Sequence, residues 1–342
     1  MRERKGKSVI IKSILAVIAA AAVLGGAMHF IESRGHLDEQ LGDSGEWGGE
    51  EGSEFYLYLN DKNYKCTDDI DAYLLIGTDA AKEGEDGFNG EMADFLMLIL
   101  MDNTTKKYGM YQINRNTMTA VDILNENGES TGSETQQICI SHWYGKTPEQ
   151  RNGNTVTAVS NLFGELPING YYTINMADMG KVNDAIGGVT VDIETDMTSV
   201  DPAFVEGSSV HLTGDQAEKF LRARMGVGGG TNAERMGRQR QYLQKVYNLL
   251  MSQIRENPEY VNDLYDQLHD LVLSDLHDKD LSKITNQLVV YDSQGIITLK
   301  GDTEIGLQEV SGKELEEFYP DGDALVESLQ QVIQLEPADE EG

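Results

Sequence analysis

Residues 93–113, ADFLMLILMDNTTKKYGMYQI, decide the fold. Phe95 to Met101 is a continuous apolar run of strand length, and Tyr108 to Ile113 reads as a second strand. Between them, Asp102-Asn103-Thr104-Thr105-Lys106 is a turn too short for a crossover, so the two strands return antiparallel. A strand apolar on both faces belongs inside a sheet covered on two sides. Ala72-Tyr73-Leu74-Leu75-Ile76-Gly77 upstream has the same character, and Met97 and Met101 read as core filler.

Downstream, Val156, Val159, Leu162, Phe163 and Leu166 follow helical spacing, and Tyr171 to Ile174 reads as a strand. Ala177 to Ile186 reads as a helix stopped by Gly187-Gly188, followed by a strand over Val189 to Ile193. Helices alternating with strands predict an α/β fold, a layered α-β-α domain with a central mixed sheet, over 55–256. For 257–336 the sequence predicts further elements packed on the same domain: a helix over 258–275, a strand over 295–301 and a last helix over 323–333. Residues 337–342 read as a frayed tail.

The strands also place charged residues. An antiparallel return puts Asp94, at the start of one strand, at the same sheet edge as Arg115, just after the next. Asp79 joins them if the strand before it is antiparallel to its neighbour. Taken singly, Asp79 reads as a turn residue and Asp94 as the opening of a strand.

With 58 acidic against 27 basic residues, the net charge of −31 argues against nucleic acid as the main partner, because a phosphate backbone is met by broad positive surface. It permits a local anion site, since exposed charges farther apart than roughly 8 Å are screened from one another. Basic residues in the tail 1–7 precede a mostly apolar run, 8–30, just long enough to span a bilayer as a signal anchor with the amino terminus inside. A cleaved signal peptide is the competing reading. Residues 31–54, rich in Gly, Asp and Glu, read as a flexible stalk, so the folded part is expected outside the cytoplasm, beside the cell membrane. Cys66 and Cys139 permit one disulfide there without requiring it.

Against this acidic background, 211–246 concentrates Lys219, Arg222, Arg224, Arg235, Arg238, Arg240 and Lys245. Thr213 with Gln216, and Thr231 with Glu234, each fit a capping box, so two helices are expected, separated by Gly228-Gly229-Gly230. Arg235 and Arg238 then share a face near a helix amino end, which favours anions. Arg222 and Arg224 face the same way only if the first helix ends near Leu221. A solvated basic face making surface ion pairs is the alternative.

Zinc, dinucleotide, P-loop and nucleophile-elbow patterns are missing from the sequence, and His142 and His211 read as structural. Carboxylates with arginines remain, a set suited to phosphoryl transfer. Asp71-Ala72-Tyr73-Leu74-Leu75-Ile76-Gly77-Thr78-Asp79, Ala93-Asp94-Phe95, Ile113-Asn114-Arg115-Asn116-Thr117 and Ile186-Gly187-Gly188-Val189 resemble, in order, motifs of the LytR-CpsA-Psr family of membrane-anchored cell-wall proteins. So do His211-Leu212-Thr213-Gly214-Asp215-Gln216-Ala217, Arg222-Ala223-Arg224-Met225 and Arg235-Met236-Gly237-Arg238-Gln239.

The resemblance implies transfer of a glycopolymer from a polyprenyl-pyrophosphate carrier onto a peptidoglycan acceptor, with Asp79, Asp94, Arg115 and Arg224 as the catalytic set. Asp79 and Asp94 would hold Mg²⁺, or Mn²⁺ in its place. Arg115, Arg222, Arg224, Arg235 and Arg238 would bind pyrophosphate oxygens, with Gln239 as a polar contact, and an apolar tunnel would take the lipid. Met92 stands where the family usually has arginine, Asn114 replaces its proline and Asn116 its aspartate. A noncatalytic lipid-binding or scaffold protein, or a pyrophosphate hydrolase, are the alternatives. Arg240 and Lys245, outside the matched positions, are expected at the surface.

Overall fold

The computed structural model describes residues 55–66, 69–79, 91–257, 260–276, 290–308 and 313–338, with positions 280, 283, 284, 287 and 288. The expected tail, membrane span and stalk lie outside the described residues, as do 339–342. No helix among the described residues is long and apolar enough to cross a membrane.

In chain order the elements are β1 (Phe55–Leu59), β2 (Lys62–Cys66), β3 (Ile70–Thr78), β4 (Ala93–Asp102), β5 (Lys107–Ile113), β6 (Met118–Leu124) and β7 (Ser130–Gln137). Helix α1 (Pro148–Leu162), β8 (Gly170–Asn175), α2 (Met179–Ala185), β9 (Thr190–Asp192), β10 (Ser209–His211), α3 (Gly214–Arg222) and α4 (Asn232–Glu256) follow. The chain continues through α5 (Tyr260–Leu268), β11 (Val272–Ser274), β12 (Asp292–Thr298), β13 (Gly301–Gln308), β14 (Lys313–Pro320), α6 (Gly322–Leu329) and β15 (Glu336–Pro337).

Six strands form one mixed sheet in the order β11-β8-β3-β4-β5-β12. β3, β4 and β5 are successively antiparallel, whereas β8 and β12 lie parallel to β3 and β5. Alternate residues of β3 and β4 feed two cores, because side chains on a strand point to opposite faces in turn. Tyr73, Leu75, Met97 and Ile99 pack with Val182, Phe220, Tyr242 and Leu264 from α2 to α5. Leu74, Ile76, Leu98 and Leu100 pack with Ala158, Val159, Leu325 and Leu329 from α1 and α6. Helices flank a central mixed sheet, as the sequence predicts.

Several elements differ from the sequence reading. The helix expected over 258–275 stops at Leu268; after a 3-10 turn, Val272 pairs with Ile174. Without β11, β8 would leave its outer backbone groups unpaired, and satisfying that edge outweighs continuing the helix. The strand expected at 295–301 lies at Asp292–Thr298 with a register shift between Ser293 and Ile296. Pro337 and Ala338, expected to fray, are held by β2, with Pro337 opposite Tyr64 and the Ala338 N–H donating to Asn63 O at 2.9 Å. Cys66 and Cys139 are both buried and not joined by a disulfide.

At the edge of β3 remote from Asp79, the buried Asp71 carboxylate accepts from Lys283 Nζ at 2.7 Å and Asn103 Nδ2 at 2.7 Å. A buried charge is tolerated only when paired and hydrogen-bonded, so this contact fastens Lys283 to the sheet.

α2 and α3 touch through glycine. A Cβ on Gly214 would lie 2.7 Å from Gly180 O and 2.5 Å from Asp184 Oδ2. Gly214→Ala is therefore expected to lower unfolding free energy by about 1–2 kcal/mol in urea titrations, overpacking exceeding the gain in helix propensity.

Candidate functional site

The antiparallel register brings the end of β3, the start of β4 and the end of β5 to one edge: Thr78 lies opposite Ala93 and Leu96 opposite Ile113. The Asp79 N–H donates to Met92 O at 3.0 Å and closes that edge. Asp94 and Arg115 meet there as the short turn requires, and Asp79 joins them because β3 is antiparallel to β4.

After β5 the chain turns tightly, with Thr117 N donating to Asn114 O at 2.9 Å. Asn114 Oδ1 accepts from Asn116 N at 2.9 Å and from Asn232 Nδ2 at 2.7 Å. Asn232 Oδ1 in turn accepts from Arg235 Nη2 at 2.5 Å. Arg235 Nη1 reaches Asp94 Oδ2 at 3.1 Å, and Asp94 Oδ1 lies 2.9 Å from Arg115 Nε. A polar circuit thus runs from the turn through α4 back to the sheet. Asn114, in place of a proline, supplies an acceptor that ties the turn to α4.

The two helix starts form as capped ends. Thr213 N donates to Gln216 Oε1 at 3.2 Å, and Thr231 Oγ1 accepts from Glu234 N at 3.2 Å. The Glu234 carboxylate accepts from Gly229 N at 3.0 Å, so it orders the glycine loop instead of completing the expected box. Gly226, Gly228 and Gly230 take positive φ in that loop, a conformation side chains with a Cβ rarely adopt.

α3 ends at Arg222, and beyond it Arg222 and Arg224 reach different carboxylates. Arg222 pairs with Asp79 and, at 2.7 Å, with Glu218. Arg224 Nη2 lies 2.8 Å from Glu316 Oε2, and its Nε donates to Gly230 O at 3.1 Å. Side-chain exposure grades the arginines from the opening inward: 31% for Arg222, 27% for Arg224, 14% for Arg115 and 6% for Arg235. A depression of about 370 Å³, lined by Val200, Asp215, Glu218, Lys219, Arg222 and Ala223, opens beside Arg222.

The remaining matched residues sit behind this front. Arg238 donates to Phe220 O at 3.1 Å and to Ala223 O, so its charge caps the carboxyl end of α3. Gln239 is buried and accepts from Gln112 Nε2 at 3.4 Å. Arg240, expected at the surface, is half-buried and donates to Gln112 Oε1 at 2.8 Å. Lys245 is a surface residue as expected, 3.4 Å from Asp192.

Electrostatics show one cluster. Burial lowers the Arg235 pKa, with Asp94 opposing and Arg115 and Arg224 pushing the same way as burial. At Arg115 burial also lowers, but Cys139 and Asp94, with Asp79 adding, outweigh it and raise the pKa. Burial pushes the Cys139 thiol up, with Arg115 and Arg235 opposing. His142 is structural, as read from the sequence: it is buried, with Nε2 3.0 Å from Asn152 Oδ1.

Arginines and carboxylates thus meet at one edge of a layered α/β sheet. The sequence profile of the LytR_cpsA_psr family matches residues 51–324. The chain belongs to this family. It is similar to a protein of Bacillus mycoides named polyisoprenyl-teichoic acid–peptidoglycan teichoic acid transferase TagU, at 33% identity over 173 residues, 51% of this chain and 50% of the relative. The chain therefore spans about half the length of the curated relatives it matches. In fold it resembles Bacillus subtilis TagV (TM-score 0.52, 19% identity, 77% of this chain and 96% of that one). It also resembles a structure of TagT bound to LIIa-WTA (TM-score 0.54, 18% identity, 77% and 89%).

Where the family usually has arginine, Met92 places its sulfur 2.8 Å from Arg115 Nη2. Sequence reasoning missed Glu316. It arrives on a two-stranded hairpin docked by a bridge between Thr117 and Phe318, and the Ser311-Gly312 dipeptide is the turn signal that points to such a hairpin.

Proposed function

We propose that this family member is a membrane-anchored, extracytoplasmic phosphotransferase that moves a glycopolymer from a polyprenyl-pyrophosphate carrier onto peptidoglycan. One observation carries the reading: Asp79, Asp94, Arg115, Arg222, Arg224 and Arg235 form a single charge cluster at one sheet edge. The names of its curated relatives support the same reaction class.

A pyrophosphate presents several anionic oxygens that must be neutralised while an acceptor hydroxyl approaches phosphorus. Arg222 and Arg224 are open enough to exchange their carboxylates for phosphate oxygens, each charge-assisted hydrogen bond contributing about 1.5–3 kcal/mol. Arg115 lies beneath them. Arg235 is almost enclosed and holds Asp94 in place, while Arg238 fixes the end of α3 from which Arg222 and Arg224 project.

Among the described residues no group of three or more His, Cys, Asp or Glu side chains is placed to hold a metal ion unaided. Two half-buried carboxylates fit Mg²⁺, or Mn²⁺, as an ion held jointly with substrate, because Mg²⁺ is commonly bound by one or two carboxylates plus phosphate oxygens. Asp79 and Asp94 would hold it, and it would supply further positive charge to the leaving phosphate. Both carboxylates accept from arginines, so an ion held there would have to share or displace those pairs.

The test is transfer of a labelled, polyprenyl-pyrophosphate-linked glycan by the full chain in membranes. We expect label covalently attached to peptidoglycan. Free glycan phosphate would favour hydrolysis, and lipid bound without turnover would favour a binding protein, the reading that Met92 and Asn116 support.

A further inference from the structure

Glu316 is a cluster carboxylate that pairs with neither Asp79's nor Asp94's arginine partners. Its carboxylate lies 2.8 Å from Arg224 Nη2, and its side chain is 15% exposed. Two contacts fix its strand against the turn that follows Arg115, and a third ties it to the end of β7. Phe318 N donates to Asn116 O at 2.9 Å, Thr117 bridges Phe318 in parallel, and Gln137 Nε2 donates to Glu316 O at 2.8 Å. Two residues back along both segments from that bridge stand Arg115 and Glu316. Phe318 is buried, so the hairpin is pinned at the residue that sets this alignment. The nearby turn offers no carboxylate of its own, since Asn116 is an amide.

Building on the transferase reading, we propose that Glu316 is the catalytic proton acceptor for the acceptor hydroxyl. Before substrate arrives, Arg224 occupies its carboxylate. A pyrophosphate draws Arg224 onto its own oxygens, and the half-buried Glu316 carboxylate is released to accept from the acceptor hydroxyl. The acceptor O–H bond then breaks with its proton passing to Glu316, and the hydroxyl oxygen forms a bond to the glycan-bearing phosphorus. The bridging P–O bond breaks, and its electron pair leaves on polyprenyl phosphate. Arg224 is the charged group facing Glu316. Ile305 stands opposite it on β13, and the neighbouring Glu317 bonds instead to the Tyr319 hydroxyl at 2.7 Å.

The experiment uses the full chain in membranes with Glu316→Gln, Glu316→Asp and, as a control, Glu317→Gln. Transfer is measured against pH, and Mg²⁺-dependent binding of geranylgeranyl pyrophosphate is measured directly. Glu316→Gln is expected to lower kcat about 10²–10⁴-fold and to flatten the acid limb of the pH profile. Pyrophosphate binding should be equal to wild type or tighter, because Arg224 is freed. Glu316→Asp should keep the acid limb with part of the rate, and Glu317→Gln should match wild type. Unimpaired or faster transfer by Glu316→Gln overturns the role and leaves the transferase reading intact. Loss of binding in step with rate also overturns it, since it makes the contact structural. A wild-type chain that binds the probe and transfers nothing overturns the transferase reading itself.

Discussion

Asp94→Asn is expected to abolish transfer and to destabilise the domain at once. Asp94 lies between two guanidinium groups, 2.9 Å from Arg115 Nε and 3.1 Å from Arg235 Nη1, and Arg235 is almost fully enclosed. Removing the carboxylate charge takes from Arg235 the carboxylate it pairs with and leaves Arg115 with the weaker influence of Asp79. Breaking a buried pair from one side costs about 3–5 kcal/mol, because the stranded charge keeps its desolvation penalty. Urea unfolding should register that loss, and the transfer assay should fall by about 10²–10³-fold or more, the effect of removing one preorganised electrostatic group. Pairing the change with Arg235→Met should restore stability, since an apolar side chain of similar length replaces the stranded cation, without restoring transfer. A double variant recovering both would make Asp94 purely structural.

The joint variant Arg222→Met with Arg224→Met should do the reverse. These arginines are about 30% exposed, and each pairs with a carboxylate at the site's opening. Ion pairs of that kind contribute about 0–1 kcal/mol, so stability should move little. Pyrophosphate affinity should fall by about 3–6 kcal/mol, 10²–10⁴-fold, if each guanidinium gives one charge-assisted hydrogen bond to the ligand. Isothermal titration with geranylgeranyl pyrophosphate in Mg²⁺ checks this, and unchanged affinity would remove both residues from the binding front.

What the sequence discloses follows from burial. Residues 72–76 and 95–101 are apolar on both faces because each strand is covered by helices on both sides, and such a run is visible without a partner. The four-residue separation of β4 from β5 then carries Asp94 and Arg115 to one edge. Partner choice is another matter. Arg222, Arg235 and Arg238 look alike in sequence, yet one meets Asp79, one Asp94, and one the carbonyls at the end of α3. Only three-dimensional placement separates a ligand-facing guanidinium from a helix cap. The β13–β14 hairpin is legible least of all. Its strands pair chiefly with each other, its residues are largely polar, and the pairing of Glu316 with Arg224 spans about ninety residues.

Equilibrium binding of geranylgeranyl pyrophosphate to the wild-type chain, with Mg²⁺ and with EDTA, bears most directly on the claim that this edge is a pyrophosphate site. We expect binding strengthened at least roughly tenfold by Mg²⁺, about 1.4 kcal/mol, with the enhancement absent in Asp79→Asn and affinity for the matching alcohol far weaker. Equal affinity for the alcohol and the pyrophosphate, insensitive to Mg²⁺, would contradict it.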